Sequence, residues 1–391
     1  MNAKATNKTF LKFAILSLSL LTVMAGAAMA PALGVIQEYF SDDNPTLVQM
    51  IISVPAIFII ITNFIFPKLA EKFGTRSLTM IGLILYTVGG CISGLFNSIY
   101  IVLLTRAFVG IGVGIIMPLS TGLLGRFFPP EEQDRLMGYS SAMNQMGGVV
   151  ATLISGMLAV ISWRLSFLVY LLGLISIVLV LLFLPQVSLA PTRSDKPDPH
   201  KANESPLKTF GKYNIFIIAM FLLMTTFFFY PTNFAIEVTS DGVIPQNLIS
   251  IIMAGMDFTA FIGGLAFVSC KRALGPACKM LAPVLFLLGY VFLFFVPGWF
   301  GIIAGSVCVG FANGVGIPYI ISTASRKAGM LAVTTVIPLI SAALYLGQFL
   351  SPLIKSAIAS FMPAEMSHIP WLLGVIFAAL FLLWSIRIKE N

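Results

Sequence analysis

The sequence predicts an all-α membrane protein of twelve spanning helices, arranged as two six-helix repeats. Three observations carry that prediction: apolar spans that recur along the chain, one long polar break midway, and residue matches at an offset of about 200. Apolar residues make up 58% of the 391 and charged residues only 10%, with a mean hydropathy of +0.98. A soluble globule carries about 25% charge, so water is not the solvent for most of this surface. A run of ~20 apolar residues crosses a hydrocarbon core about 30 Å thick. Such runs lie at roughly 13–37, 46–66, 77–96, 99–125, 137–161, 165–185, 213–236, 246–269, 277–296, 298–321, 331–361 and 369–386.

Short breaks marked by Pro, Gly or charge separate most of these spans. The exception is "PQVSLAPTRSDKPDPHKANESPLKTFGK", a polar, Pro-rich linker over 185–212. It divides the chain into an N-terminal bundle, 1–184, and a C-terminal bundle, 213–391. Near the N-terminus, Lys4, Lys8 and Lys12 precede an apolar run and "AMAPA", which has the outline of a cleaved signal. The uncharged run from Phe13 to Gln37 is long enough to span, so we read it as the first helix.

Lys and Arg placement sets the expected orientation. With both termini cytoplasmic, the inner segments collect all of the 23 basic residues except Arg106, Arg164 and Lys355. The outer loops hold Glu38, Asp42, Asp43, Glu237, Asp241 and Glu365 instead. The net charge of +8 therefore reads as a cytoplasmic-membrane topology signal with anionic-lipid contact, and no nucleic-acid partner is expected. The four cysteines lie in helices or at the cytoplasmic side, so no disulfide framework is expected.

At the offset of about 200, Pro31 meets Pro231. Gly110, Gly114 and Pro118 meet Gly310, Gly314 and Pro318, while Ser141, Ala142 and Gly147 meet Ser341, Ala342 and Gly347. These pairs set helix 1 on 7, helix 4 on 10 and helix 5 on 11. Two parallel repeats predict a substrate site at their interface, near the membrane midplane.

The loop "PKLAEKFGTRS" (67–77) resembles the GxLaDrxGrr signature of the major facilitator superfamily. Leu69, Ala70, Gly74 and Arg76 match, Glu71 stands for Asp, Lys72 stands for Arg, and Pro67 departs from the leading Gly. Helix 4, "LLTRAFVGIGVG" (103–114), is similar to the family's RxxxGxG pattern through Arg106, Gly110 and Gly112. The resemblance implies a secondary transporter that rocks two bundles about a central site. It also implies a cytoplasmic latch: Glu71 would accept from the amides at the start of helix 11, with Lys72, Gly74 and Arg76 completing the loop. Gly74 is expected to permit the tight turn. Drug-type proton antiporters of the family carry GxxxGPxxGG in helix 5. Here "YSSAMNQMGG" (139–148) keeps Gly147–Gly148 and has Met143–Asn144 where Gly-Pro belongs.

Charges within the spans are the site candidates, because a charge at bilayer depth costs about 3 kcal/mol on insertion scales. Asp257 lies ~18–21 Å from either end of its helix at 1.5 Å per residue, with no other charge between Asp241 and Lys271. It is the proton-coupling candidate, with a fixed ion pair to Lys355 or Arg106, or pairing with a cationic substrate, as the competing roles. Arg106 lies ~10 Å into helix 4 and either holds neighbouring carbonyls or touches substrate. Lys355 ends a polar stripe with Ser341, Tyr345, Gln348 and Pro352, and either faces a wet cavity or snorkels outward. Asn144, Gln145, Tyr230, Asn233 and Asn313 complete the candidate cavity. Neither His200 nor His368 has a partner at ligand spacing, so no metal is expected. No phosphate-binding loop and no nucleophile–base motif occur, so neither an ATP-driven pump nor an enzyme is expected, and no cofactor is implied.

The expected function is proton-coupled efflux of a small amphipathic organic solute by a monomer. The alternatives are organic-anion transport through Arg106 and Lys355, lipid flipping, or a sensor or chaperone that retains the fold.

Overall fold

A computed structural model describes residues 2–188, 206–242, 244–328, 336–362 and 368–388. The chain divides into two compact units, Met1–Lys196 and Pro197–Asn391. In the first unit α1 spans Lys8–Tyr39, α2 Pro45–Lys72, α3 Thr75–Leu95, α4 Ile99–Phe127, α5 Pro130–Ile161 and α6 Trp163–Phe183. In the second, α7 spans Pro206–Asp241, α8 Gln246–Leu274, α9 Cys278–Phe295, α10 Trp299–Ala328, α11 Ile337–Ala359 and α12 Ile369–Ile386. Among the described residues a helix occupies each of the twelve expected spans, with 331–335 of the eleventh outside them. Between α8 and α9 the chain reverses through a three-residue 3₁₀ turn opened by Gly275, whose φ of 51° suits a residue without Cβ.

Local chemistry sets several boundaries. Asn44 accepts from the Thr46 N–H at 2.9 Å and Pro45 takes the first helical position, a strong start for α2. Lys279 closes the other kind of end, donating to the carbonyls of Ile386 at 3.1 Å and Ile388 at 2.9 Å after α12. In α1 the helix breaks at Ala27, passes through a 3₁₀ turn over Ala30–Ala32 that contains Pro31, and resumes at Leu33.

The two units repeat the same packing. α2 lies on α4 and α3 on α4 in the first, as α8 lies on α10 and α9 on α10 in the second; α1–α5 likewise matches α7–α11. The glycines matched in sequence are the points of closest approach. A Cβ on Gly110 would strike the Pro55 carbonyl and one on Gly114 would strike Thr62, both on α2. Gly310 and Gly314 meet the carbonyls of Met256 and Ala260 on α8 in the same way. Gly147 abuts the Leu20 carbonyl and Gly347 that of Phe221. Small residues at membrane helix crossings let backbones pack by van der Waals contact where lipid offers no hydrophobic drive.

Candidate functional site

In the first unit the buried charge is Arg106, with 0% exposure. Its Nε donates to the Ile51 carbonyl at 2.8 Å, Nη1 to the Tyr170 hydroxyl at 2.6 Å, and Nη2 to the Ala25 carbonyl. Two of these acceptors are defects in the helix ladder. The Ile51 carbonyl has no i+4 donor because that residue is Pro55, and Ala25 lies in the last turn before the break at Ala27. A planar fork with five donors reaches all three acceptors at once. In this structure Arg106 holds backbone carbonyls, the first of its two expected roles.

The second unit solves the same problem without a charge. At the position matching Arg106 stands Ser306, hydrogen-bonded to the Tyr230 hydroxyl at 2.6 Å. The carbonyls near Pro231 are served by Tyr290, whose hydroxyl donates to Thr226 at 2.5 Å, with Phe227 at 3.4 Å. Phe227 is the residue whose i+4 donor Pro231 removes. Tyr290 and Tyr230 sit in a buried aromatic group with Phe234 and Trp371, the Tyr230 and Phe234 rings 4.5 Å apart.

Asp257 is half-buried on α8, between Met256 and Ala260, the region where α8 presses on the glycines of α10. It lies within electrostatic reach of the Tyr230 hydroxyl. Other polar groups lie along α7, α10 and α11 of the same unit. Asn233 is buried and donates to the Phe229 carbonyl and to Thr232, each at 3.0 Å. Asn313 is buried, and its Oδ1 has no hydrogen-bond partner among the described residues. Gln348 is buried and Tyr345 half-buried on α11. Phe227, Phe228 and Phe229 are all buried, so they pack within this unit.

Other candidates have local partners. Lys355 lies within electrostatic reach of Glu237, with no ion pair within 4 Å to it among the described residues. Asn144 accepts from Thr22 at 2.6 Å across α1 and α5, where Ser19 and Ser140 also bond at 2.6 Å. Gln145 is half-buried one residue on.

Gly74 departs from its expected role. Its φ of −77° is open to any residue, so the turn does not require glycine. The crowding at Gly74 comes instead from Gln186, the end of whose side chain lies where a Cβ would project. Gln186 accepts from the Ser77 N–H at 3.1 Å and donates to the Ser77 hydroxyl at 2.9 Å, while Thr75 bonds the Pro185 carbonyl at 2.6 Å. The first residues after α6 thus cap α3. Glu71 and Lys72 are exposed and Arg76 half-exposed; the expected latch partner at the start of helix 11 falls at 329–335, outside the described residues.

Two participants escaped the sequence reading. Tyr170, far from Arg106 in sequence, completes its network. His368 meets Glu237 at 3.2 Å and Asp241 at 3.9 Å. No spacing rule links residues 131 positions apart, so the only available signal was that each is polar beside a span. No group of three metal-ligating side chains occurs among the described residues.

These helices, packed as paired repeats with polar groups inside each bundle, define a multi-pass all-α membrane protein. The chain belongs to the Major Facilitator Superfamily, whose family model matches residues 15–352. It is a transporter of some substrate and not an enzyme.

Among curated relatives, the riboflavin transporter RibZ of Clostridioides difficile (strain 630) is 25% identical over 145 residues, 37% of this chain and 32% of that one. The quinolone resistance protein NorA of Staphylococcus aureus (strain Mu50) is 31% identical over 99 residues, 25% of this chain and 26% of that one. The matches thus span about a third or less of these relatives' length. Solved structures share the fold. The nucleoside transporter NupG superposes with a TM-score of 0.77 at 14% identity, covering 97% of this chain and 100% of that one. A bacterial homologue of the human lysosomal transporter Spinster gives 0.74 at 15%, covering 97% of each chain.

Proposed function

We propose that this protein is a proton-coupled secondary transporter that exports a small amphipathic organic solute across the cytoplasmic membrane, with both termini cytoplasmic. The observation that carries the reading is Asp257, a half-buried carboxylate near the middle of α8, within electrostatic reach of the buried Tyr230 hydroxyl. A carboxylate at that depth can hold a proton when one side of the membrane has access and release it when the other does. Moving one charge through 100 mV is worth about 2.3 kcal/mol, enough to drive a solute against a gradient of roughly fiftyfold. The relatives named for riboflavin transport and quinolone resistance support a small organic solute. The organic-anion reading needs Arg106 and Lys355, and both are engaged within their own bundles, by carbonyls and by Glu237. The latch formed by Glu71, Lys72, Gly74 and Arg76 is retained as part of the proposal.

The test is thermal stabilisation of the purified protein by lipophilic cations, neutral amphiphiles and organic anions, at about pH 6 and about pH 8. Cations that stabilise better at the higher pH, with the difference lost in Asp257→Asn, are the expected result. Stabilisation by anions alone, unchanged in Asp257→Asn, would overturn it.

A further inference from the structure

At the end of the second unit away from the Gly275 turn, three helices bring four ionisable groups together. Glu237 and Asp241 come from the last turns of α7, His368 is the residue that precedes α12, and Lys355 comes from α11. Glu237 is largely buried, its side chain 18% exposed, and its Oε2 lies 3.2 Å from the His368 Nδ1. The Asp241 carboxylate is 3.9 Å from the same nitrogen, and the Lys355 ammonium acts on Glu237 from the facing helix. These are the titratable groups facing Glu237 from α7, α11 and α12 among the described residues.

His368 is the one described residue other than glycine with positive φ, at 58°. A left-handed backbone is unfavourable for a residue with a Cβ, and such strain gathers where the surroundings fix a conformation in use. Here it sets the imidazole against the Glu237 carboxylate while the ring remains about one-third exposed. One group of the pair is wet and the other is sheltered.

We propose that Glu237 is a second coupling carboxylate of the transport cycle and that His368 is its proton conduit to the outer aqueous phase. The proposal rests on the proton-coupled reading and on the orientation given with it. Charge counting shows why the group would act as a switch. With His368 protonated, two carboxylates face two cations and these four described groups sum to zero. With His368 neutral, one negative charge is left over beside a buried carboxylate. Uncompensated charge at low dielectric is costly, so the cluster either takes up a proton or opens to water. The proton enters at the imidazole, crosses the 3.2 Å contact from Nδ1 to the Glu237 Oε2, and nothing else is transferred. Imidazole is the side chain whose charge changes in the range where such exchange is useful.

The experiment needs no substrate. Spin labels are attached through Ser41→Cys and Pro297→Cys, one in a loop of each half, in a background whose four native cysteines are replaced. Pulsed electron–electron distances are recorded across a pH series for the otherwise unaltered protein, Glu237→Gln, Asp257→Asn and His368→Asn. Asn tolerates the left-handed backbone, so His368→Asn removes the imidazole without adding strain. The expected result is a pH-dependent distance distribution that Glu237→Gln locks in its low-pH form, with the midpoint moved by His368→Asn. Glu237→Asp, which keeps the carboxylate, controls for misfolding and is expected to keep the response. A distribution that still responds to pH in Glu237→Gln and is lost only in Asp257→Asn overturns this proposal and leaves the coupling reading standing. A midpoint unmoved by His368→Asn removes the conduit. No response in the unaltered protein removes both readings.

Discussion

Replacing Arg106 with Met is a test of what this buried charge is for. The substitution removes a guanidinium with 0% exposure and three hydrogen bonds. The Ala25 carbonyl keeps the Tyr170 hydroxyl at 3.1 Å, so its loss is small. The Ile51 carbonyl keeps nothing from its own helix, because Pro55 cannot donate. Leaving one buried acceptor unsatisfied costs about 1–3 kcal/mol. Charge-assisted bonds are worth about 1.5–3 kcal/mol each, offset in part by no longer burying a cation. We therefore expect Arg106→Met to destabilise by about 2–4 kcal/mol. The diagnostic is the double mutant. Pro55→Ala restores an N–H that can close the α2 ladder onto Ile51, so in that background the cost of Arg106→Met should shrink by about 1–2 kcal/mol. Equilibrium denaturation in detergent of the four proteins measures the coupling. Additivity within about 0.5 kcal/mol would show that the proline-opened carbonyl is not what Arg106 serves. An Arg106 acting mainly on substrate would instead leave stability unchanged and alter only transport.

The packing and the caps set four further outcomes. Gly314→Val forces branched methyl groups into the Ala260 backbone, so it should cost about 3 kcal/mol or more or prevent folding. Gly122→Ala meets nothing within 4 Å and should gain about 0.5–1 kcal/mol from helix propensity; comparing their melting temperatures checks both. Gly74→Ala should destabilise because of Gln186, and Gly74→Ala with Gln186→Ala should recover most of that loss, whereas a turn that needs glycine's freedom would show no rescue. Lys279→Met should cost about 1–2 kcal/mol by freeing the carbonyls after α12, and faster amide exchange in that last turn would report it.

The sequence by itself determined the solvent, the twelve spans, the repeat and the family motifs, because each depends on hydropathy or spacing carried within a short stretch of chain. It also singled out Asp257, since a lone acid in an apolar run is visible without any neighbour. Even the repeated glycines were legible as a pattern, although only packing showed that Gly310 and Gly314 admit the backbone of α8. Tertiary structure decided what the polar groups touch. Arg106 stood in the sequence as either a cavity cation or a clamp on carbonyls, and only the fold showed the carbonyls that Pro55 and the α1 break leave around it. Gly74 could be read as a turn residue until Gln186, 112 positions away, was seen to fill its face. His368 had no partner by spacing, yet the folded bundle carries it to Glu237. The physical reason is common to all three. Burial in a membrane obliges the backbone polar groups to find partners; the sequence states which groups must be satisfied, and only the packing of distant helices selects the atoms that satisfy them.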